Sequence, residues 1–246
     1  MKCAIRIAFV LAVWSVGSGS APAGPPFSSD DPLPTEHHHY EIYLFAHGVS
    51  ARDGQSGAGG VDFNYGAGPN LQLTAVLPVG WDAPRGETAK AGLSNIELAA
   101  KYRFLHQQDF GLDVAVFPRV FLPASSGAAG EQHVSLLLPL WLGKSWGKWT
   151  TFGGGGCVLN LGKGAQDYCL GGWAITREVL PRLQLGAEIT HQGADTKGGR
   201  HATTLGGGLT FDLDEHHHLL AYFAPGVQNT GETGRYNWYT SFLFTF

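Results

Sequence analysis

From Glu36 to the C-terminus, apolar and polar residues trade places at every second position, the period of a strand with two unlike faces. Residues 93–104 set Ile96, Leu98, Ala100, Tyr102 and Phe104 against Glu97, Ala99, Lys101 and Arg103. Residues 110–122 set Leu112, Val114, Val116, Val120 and Leu122 against Asp113, Ala115, Phe117 and Arg119, and residues 183–193 set Leu183, Leu185, Ala187 and Ile189 against Gln184, Glu188, Thr190 and Gln192. No window of eleven or more residues shows helical spacing. The pattern predicts twelve strands, at 38–49, 59–66, 70–79, 93–104, 110–122, 132–142, 149–160, 167–177, 183–193, 201–211, 217–227 and 236–246.

The connections alternate as well. Those after even strands are tight, as at Gly66-Ala67-Gly68-Pro69 and Val179-Leu180-Pro181-Arg182; those after odd strands are longer, as at Ser50 to Gly60, Gly80 to Gly92 and Ala194 to Arg200. Period two alone does not say whether the apolar face points into a soluble core or out into lipid. Three features favour lipid. The strands run to about ten residues, the length that crosses a bilayer. Aromatics gather at strand ends, among them Trp81, Trp141, Trp146, Trp149 and Trp238. The last strand carries Phe242, Phe244 and Phe246 on one face and finishes on Phe246, which resembles the C-terminal assembly signal of outer-membrane barrels. The expected fold is therefore all-β, a single antiparallel transmembrane barrel of about twelve strands spanning residues 37–246.

Composition changes the picture at the N-terminus. Lys2 and Arg6 precede an apolar run from Ile7 to Val16, and Ala21-Pro22-Ala23 is a small-x-small site, so residues 1–23 read as a signal peptide cleaved after Ala23. Residues 24–36, rich in Pro, Ser and Asp, read as a flexible periplasmic lead-in. The formal charge is −4, and loss of Lys2 and Arg6 makes it −6, which argues against a nucleic-acid partner. Charged residues make up only 15% of the chain against about 25% in soluble domains, while glycine contributes 36 residues. Once Cys3 leaves with the leader, Cys157 and Cys169 remain, placed symmetrically about Gly162-Lys163-Gly164; they are either two unpaired small residues or a cross-strand disulfide.

Several blocks resemble a known family. Asp31-Pro32 before Tyr40-Glu41-Ile42-Tyr43-Leu44-Phe45, then Asn64-Tyr65-Gly66 with Pro69-Asn70-Leu71-Gln72-Leu73, are similar to the opening of the MetA-pathway of phenol degradation family of outer-membrane barrels. Gly92 to Leu98 with Lys101-Tyr102-Arg103-Phe104, Phe152-Gly153-Gly154-Gly155-Gly156, Leu185-Gly186-Ala187-Glu188 and Phe211 to Leu220 continue the resemblance over most of the chain. It implies an outer-membrane channel linked by name to uptake of aromatic compounds, and carries over no catalytic residues.

Candidate chemistry sits on the polar faces. A Lys or Arg facing lipid at the midplane costs about 2–4 kcal/mol, so Glu97, Lys101, Arg103, Asp113, Arg119 and Glu188 are expected in the lumen. There they either line a permeation path or form an ion-pair network that plugs the barrel. A turn centred on Gln107 would set Lys101 directly opposite Asp113. The triplets His37–His39 and His216–His218 fall near one rim; His37, His39, His216 and His218 are candidate metal ligands, the alternative being a solvated turn and strand start. Gly153–Gly156 and Gly206–Gly208 lack the Lys-Ser/Thr of a phosphate loop and make room for large neighbours such as Trp173. Ser135, Ser241, His133 and His191 supply the residue types of a lipid hydrolase without a motif that joins them. The favoured expectation is a non-enzymatic passive channel for small, hydrophobic or aromatic solutes, without a cofactor. Its partners would be outer-membrane lipid, the barrel-assembly machinery and a small-molecule solute, with a non-conducting structural barrel and a lipid-modifying enzyme as alternatives.

Overall fold

The computed structural model describes residues 26–124, 133–163 and 165–246; the expected leader, residues 1–23, lies outside them. The segments are β1 (Tyr40–Ser50), β2 (Gly54–Gly68), β3 (Leu71–Pro84), β4 (Lys90–Leu93), β5 (Ile96–Leu105), the one-turn α1 (Gln107–Phe110), β6 (Asp113–Val116), β7 (Arg119–Leu122), β8 (Ser135–Trp146), β9 (Trp149–Asn160), β10 (Tyr168–Leu180), β11 (Leu183–Gln192), β12 (Ala202–Asp212), β13 (His217–Gln228) and β14 (Tyr236–Thr245). β4 and β5 both pair with β3, and β6 and β7 both pair with β5 and β8, so each pair of segments makes one wall strand. Twelve antiparallel wall strands result. β1 pairs with β14 from Glu41 opposite Thr245 to Ser50 opposite Tyr236, which closes the sheet on itself and leaves no edge.

The break in the fifth wall strand has a local cause. Pro118 has no N–H to give the ladder, yet its carbonyl accepts from Ala100 N at 3.2 Å, while Phe117 N donates to Pro139 O at 3.3 Å. The wall stays closed there, and Phe117 is turned inward and buried.

The barrel is inverted relative to a soluble one. Leu77 is 59% exposed, Phe223 53%, Ile189 49% and Leu98 46%, all on outward faces, whereas Lys101 at 4% and Glu188 at 3% are buried inside. Phe242, Phe244 and Phe246 stand in a row on the outside of β14, with ring centroids 4.8 and 6.4 Å apart. Cys169 lies opposite Cys157 across β10 and β9 on the outer face, and a disulfide joins them.

Four expectations change. Trp141 is not a strand-end aromatic facing lipid: it lies in the middle of β8 on the inward face and is buried. Ser50 to Gly60 is not all loop, because Gly54 to Gly60 continue β2 and pair with Pro78 to Pro84 of β3; glycine has no side chain with which to show period two. Lys101 does not face Asp113. α1 lengthens the turn and the ladder shifts register between Arg103 and Leu105, so Arg103 sits opposite Ala115. Finally, residues 26–36 are not a flexible lead-in: Ser29, Asp31 and Thr35 are buried inside the barrel, held by contacts with both walls.

Candidate functional site: the lumen and the segment that crosses it

The chain enters the lumen beside β2 and β3. Thr35 N donates to Gln72 Oε1 at 2.9 Å, and Gln72 Nε2 donates to Asn64 Oδ1 at 2.7 Å and to Thr74 Oγ1 at 2.9 Å, so the amide is saturated. Farther in, the Asp30 carboxylate lies between two cations, accepting from Lys101 Nζ at 2.9 Å and from an Arg119 amino group at 2.6 Å. Arg119 also pairs with Glu97 at 3.5 Å. Both cations lie over the Phe117 ring, at 4.8 and 4.2 Å from its centroid. On the opposite wall, the Glu188 carboxylate accepts the backbone N–H groups of Ser28 at 3.1 Å and Ser29 at 2.5 Å. Phe27 ends the crossing edge-on to Phe152 and Tyr222, at 5.9 and 5.6 Å.

That wall is shaped for the segment. A Cβ on Gly143 would lie 2.7 Å from Pro32, one on Gly172 2.5 Å from Ser29 Oγ, and one on Gly186 2.5 Å from the Phe27 ring, with Gly208 3.1 Å from the same ring. Four inward glycines on β8, β10, β11 and β12 thus open a slot into which residues 27–32 fit. Elsewhere glycine serves large wall residues: Gly153 leaves room for Trp173, its partner across β9 and β10.

The side of the lumen nearest β1 to β5 is left open. One cavity of about 1500 Å³ runs along it, lined by His39, Glu41 and His216 toward the short-turn rim, by Asp62 and Glu97 at mid-height, and by Trp81 and Asp82 at the long-loop rim. Of the six expected lumen residues, Glu97, Lys101 and Arg119 line this cavity. Arg103 and Asp113 pair at 3.3 Å where Asp113 also accepts Gln107 N at 3.1 Å, so they brace the α1 turn, while Glu188 holds the inner segment.

Both histidine triplets reach the short-turn rim, but each finds a local partner. The His37 and His38 rings stack at 3.7 Å, His39 lies 3.3 Å from Glu36, and His218 Nδ1 lies 2.6 Å from Asp212. The backbone N–H of His216 and then the His217 ring hold the Asp214 carboxyl below the usual carboxylate range. Among the described residues no three His, Cys, Asp or Glu side chains group as a metal site. Ser135 and Ser241 are buried on inward faces, whereas His191 is exposed on β11 and bonds Thr203 at 2.8 Å.

No protein-family model and no curated protein matches the chain. Solved structures do. An outer membrane channel from Pseudomonas putida F1 superposes with a TM-score of 0.72 at 12% identity, covering 92% of this chain and all of that one. The KdgM porin, solved in complex with disordered oligogalacturonate, gives 0.59 at 9% identity over 84% of this chain and 99% of that one. The beta domain of the Bordetella autotransporter BrkA gives 0.51 at 12% identity, covering 84% and 98%. At these identities the likeness defines the fold, which is that of outer-membrane β-barrels.

Proposed function

We propose that the protein is a passive outer-membrane channel for small solutes, its path running along the open side of the lumen. The observation that supports this reading best is the cavity of about 1500 Å³ that reaches from the short-turn rim to the long-loop rim past the inner segment. Glu97, Lys101 and Arg119 then tune which charges pass. The outward apolar belt fits outer-membrane lipid, and the Phe242-Phe244-Phe246 row is the surface the barrel-assembly machinery would read. Cleavage after Ala23 would leave only Gly24-Pro25-Pro26 ahead of the seated Phe27. The sequence blocks similar to the phenol-degradation family favour hydrophobic or aromatic solutes, and Tyr43, Phe45, Phe117 and Phe121 supply apolar lining.

A second reading is a structural barrel plugged by its own N-terminal segment, favoured by the crossing of the lumen at Asp30. Single-channel recording of the refolded full-length protein in a planar bilayer separates the two. Stepwise currents are expected of the channel; a correctly inserted barrel that carries no current would leave the plugged reading standing.

A further inference from the structure

The inner segment is attached to the barrel in a way that leaves the wall independent of it. No residue of 26–36 belongs to a strand, and β1 to β14 close the sheet without them. The segment is held instead by side chains: Gln72 at its base, Lys101 and Arg119 on Asp30, and Glu188 on two backbone N–H groups. It leaves β1 through a tight elbow in which His39 N donates to Glu36 O and His38 adopts a left-handed backbone with φ 67°. The elbow itself is pinned to β2, since His38 N donates to Gly66 O at 2.8 Å and Gly66 N donates to His39 O at 3.0 Å; a swing of the stretch stiffened by Pro32 and Pro34 about Thr35 and Glu36 leaves that pairing and the ladder beyond it intact. Lys101 and Arg119, two wall cations that face the cavity, are both paired with a carboxylate carried on this segment rather than on the wall.

We propose that residues 26–36 are a gate whose Asp30 also sets the charge preference of the path. Seated, the segment narrows the lumen and Asp30 neutralises Lys101 and Arg119. Withdrawn, it widens the lumen and leaves Lys101 without its ion-pair partner and Arg119 with Glu97 alone, so anions gain access. A plug that acted by bulk alone would change conductance and leave selectivity as it was. The inference rests on the channel reading, and its test distinguishes the two.

Gly172 and Ser29 give a tether, since a Cβ on Gly172 would lie 2.5 Å from Ser29 Oγ. The Ser29→Cys/Gly172→Cys protein, oxidised, should hold the gate seated and show a small, steady conductance in potassium chloride. Reduction with a phosphine should raise the conductance severalfold and shift the reversal potential in a salt gradient toward chloride. Wild type under the same reductant controls for Cys157–Cys169. Asp30→Asn, which keeps the shape of the segment, should shift the reversal potential the same way with no tether at all. Equal currents from the oxidised and reduced tethered protein, or a wild-type reversal potential in Asp30→Asn, overturns the gate. Failure of the two cysteines to crosslink, when Gly172→Cys alone keeps the wild-type current and so leaves the segment in place, overturns the seating on which it depends. If wild type and every variant are silent in the bilayer, the channel reading fails first and takes the gate with it.

Discussion

The two sides of this lumen share a wall geometry and an outer belt but differ in what they carry inward. Strands β8 to β12 present Gly143, Gly172, Gly186 and Gly208 around one carboxylate, Glu188, and the space is filled by residues 27–32. Strands β1 to β5 present Glu41, Asp62, Gln72, Thr74, Glu97 and Lys101, and the space beside them remains a cavity. Small residues make a seat for chain, whereas charges and amides make a surface that holds water. The same fold thus supports a packed interior and an open path at once, and the choice between them is made residue by residue on the inward face.

The first way to break this comparison is to attack what the two sides share. Leu98→Lys on the open side and Ile189→Lys on the filled side both place a cation in the outward belt, and each should cost about 2–4 kcal/mol. Urea unfolding in lipid vesicles reads the cost. A large penalty on one side only would mean that the belt is not continuous.

The filled side alone should respond to Gly143→Val. A Cβ there meets Pro32 at 2.7 and 2.9 Å and the wall only at 3.5 Å, so the overlap is with the inner segment. Overpacking of about 1–3 kcal/mol set against a side-chain latch should unseat the segment, and the bilayer current should rise while the barrel stays folded. A wild-type current would mean that the segment does not narrow the path.

Lys101→Ala acts on the boundary between the sides. It removes a cation that lines the cavity and also frees one end of Asp30, so potassium should be favoured over chloride more than in wild type. An unchanged reversal potential would place the conducting path elsewhere. The smallest effect belongs to the open side: Thr74→Val removes hydroxyl bonds to Gln72 and Asn64 and should cost about 1 kcal/mol with little change in current. Heat-shift of the barrel on electrophoresis, with the current measured beside it, checks both halves of that expectation.

Much of the wall could be read directly, because a belt that must face lipid forces alternation wherever side chains exist to display it. The expected 149–160 strand coincides with β9, and the other wall strands begin or end a few residues from where the pattern placed them. The pattern failed where glycines interrupt the alternation, at Gly54 to Ala58, and where the ladder departs from a simple turn, at α1 and the Arg103/Leu105 shift. Those two irregularities gave Lys101 to Asp30 and Asp113 to Arg103.

The site was half legible. Charge on an inward face was enough to single out Glu97, Lys101, Arg119 and Glu188. What those residues hold was not visible, because the segment has no periodicity, and its partners on β3, β5, β7 and β11 lie 37 to 160 positions away in the chain. The signals that could have found it, Asp30-Asp31 in a charge-poor chain and the inward glycines, were read as a flexible lead-in and as room for wall residues, because their common neighbour emerges only once the strands are rolled into a barrel.

Side-chain access from water tests the contrast between the two sides most directly. Val76→Cys lies on the inward face of β3 against the cavity, and Ala174→Cys on the inward face of β10, where Ala174 is fully buried. A water-soluble charged methanethiosulfonate, added to single barrels in a bilayer, should modify Val76→Cys within the recording and reduce its current, and leave Ala174→Cys unmodified. Equal reaction at both positions, or reaction at Ala174→Cys alone, would contradict a lumen that is open on one side and filled on the other.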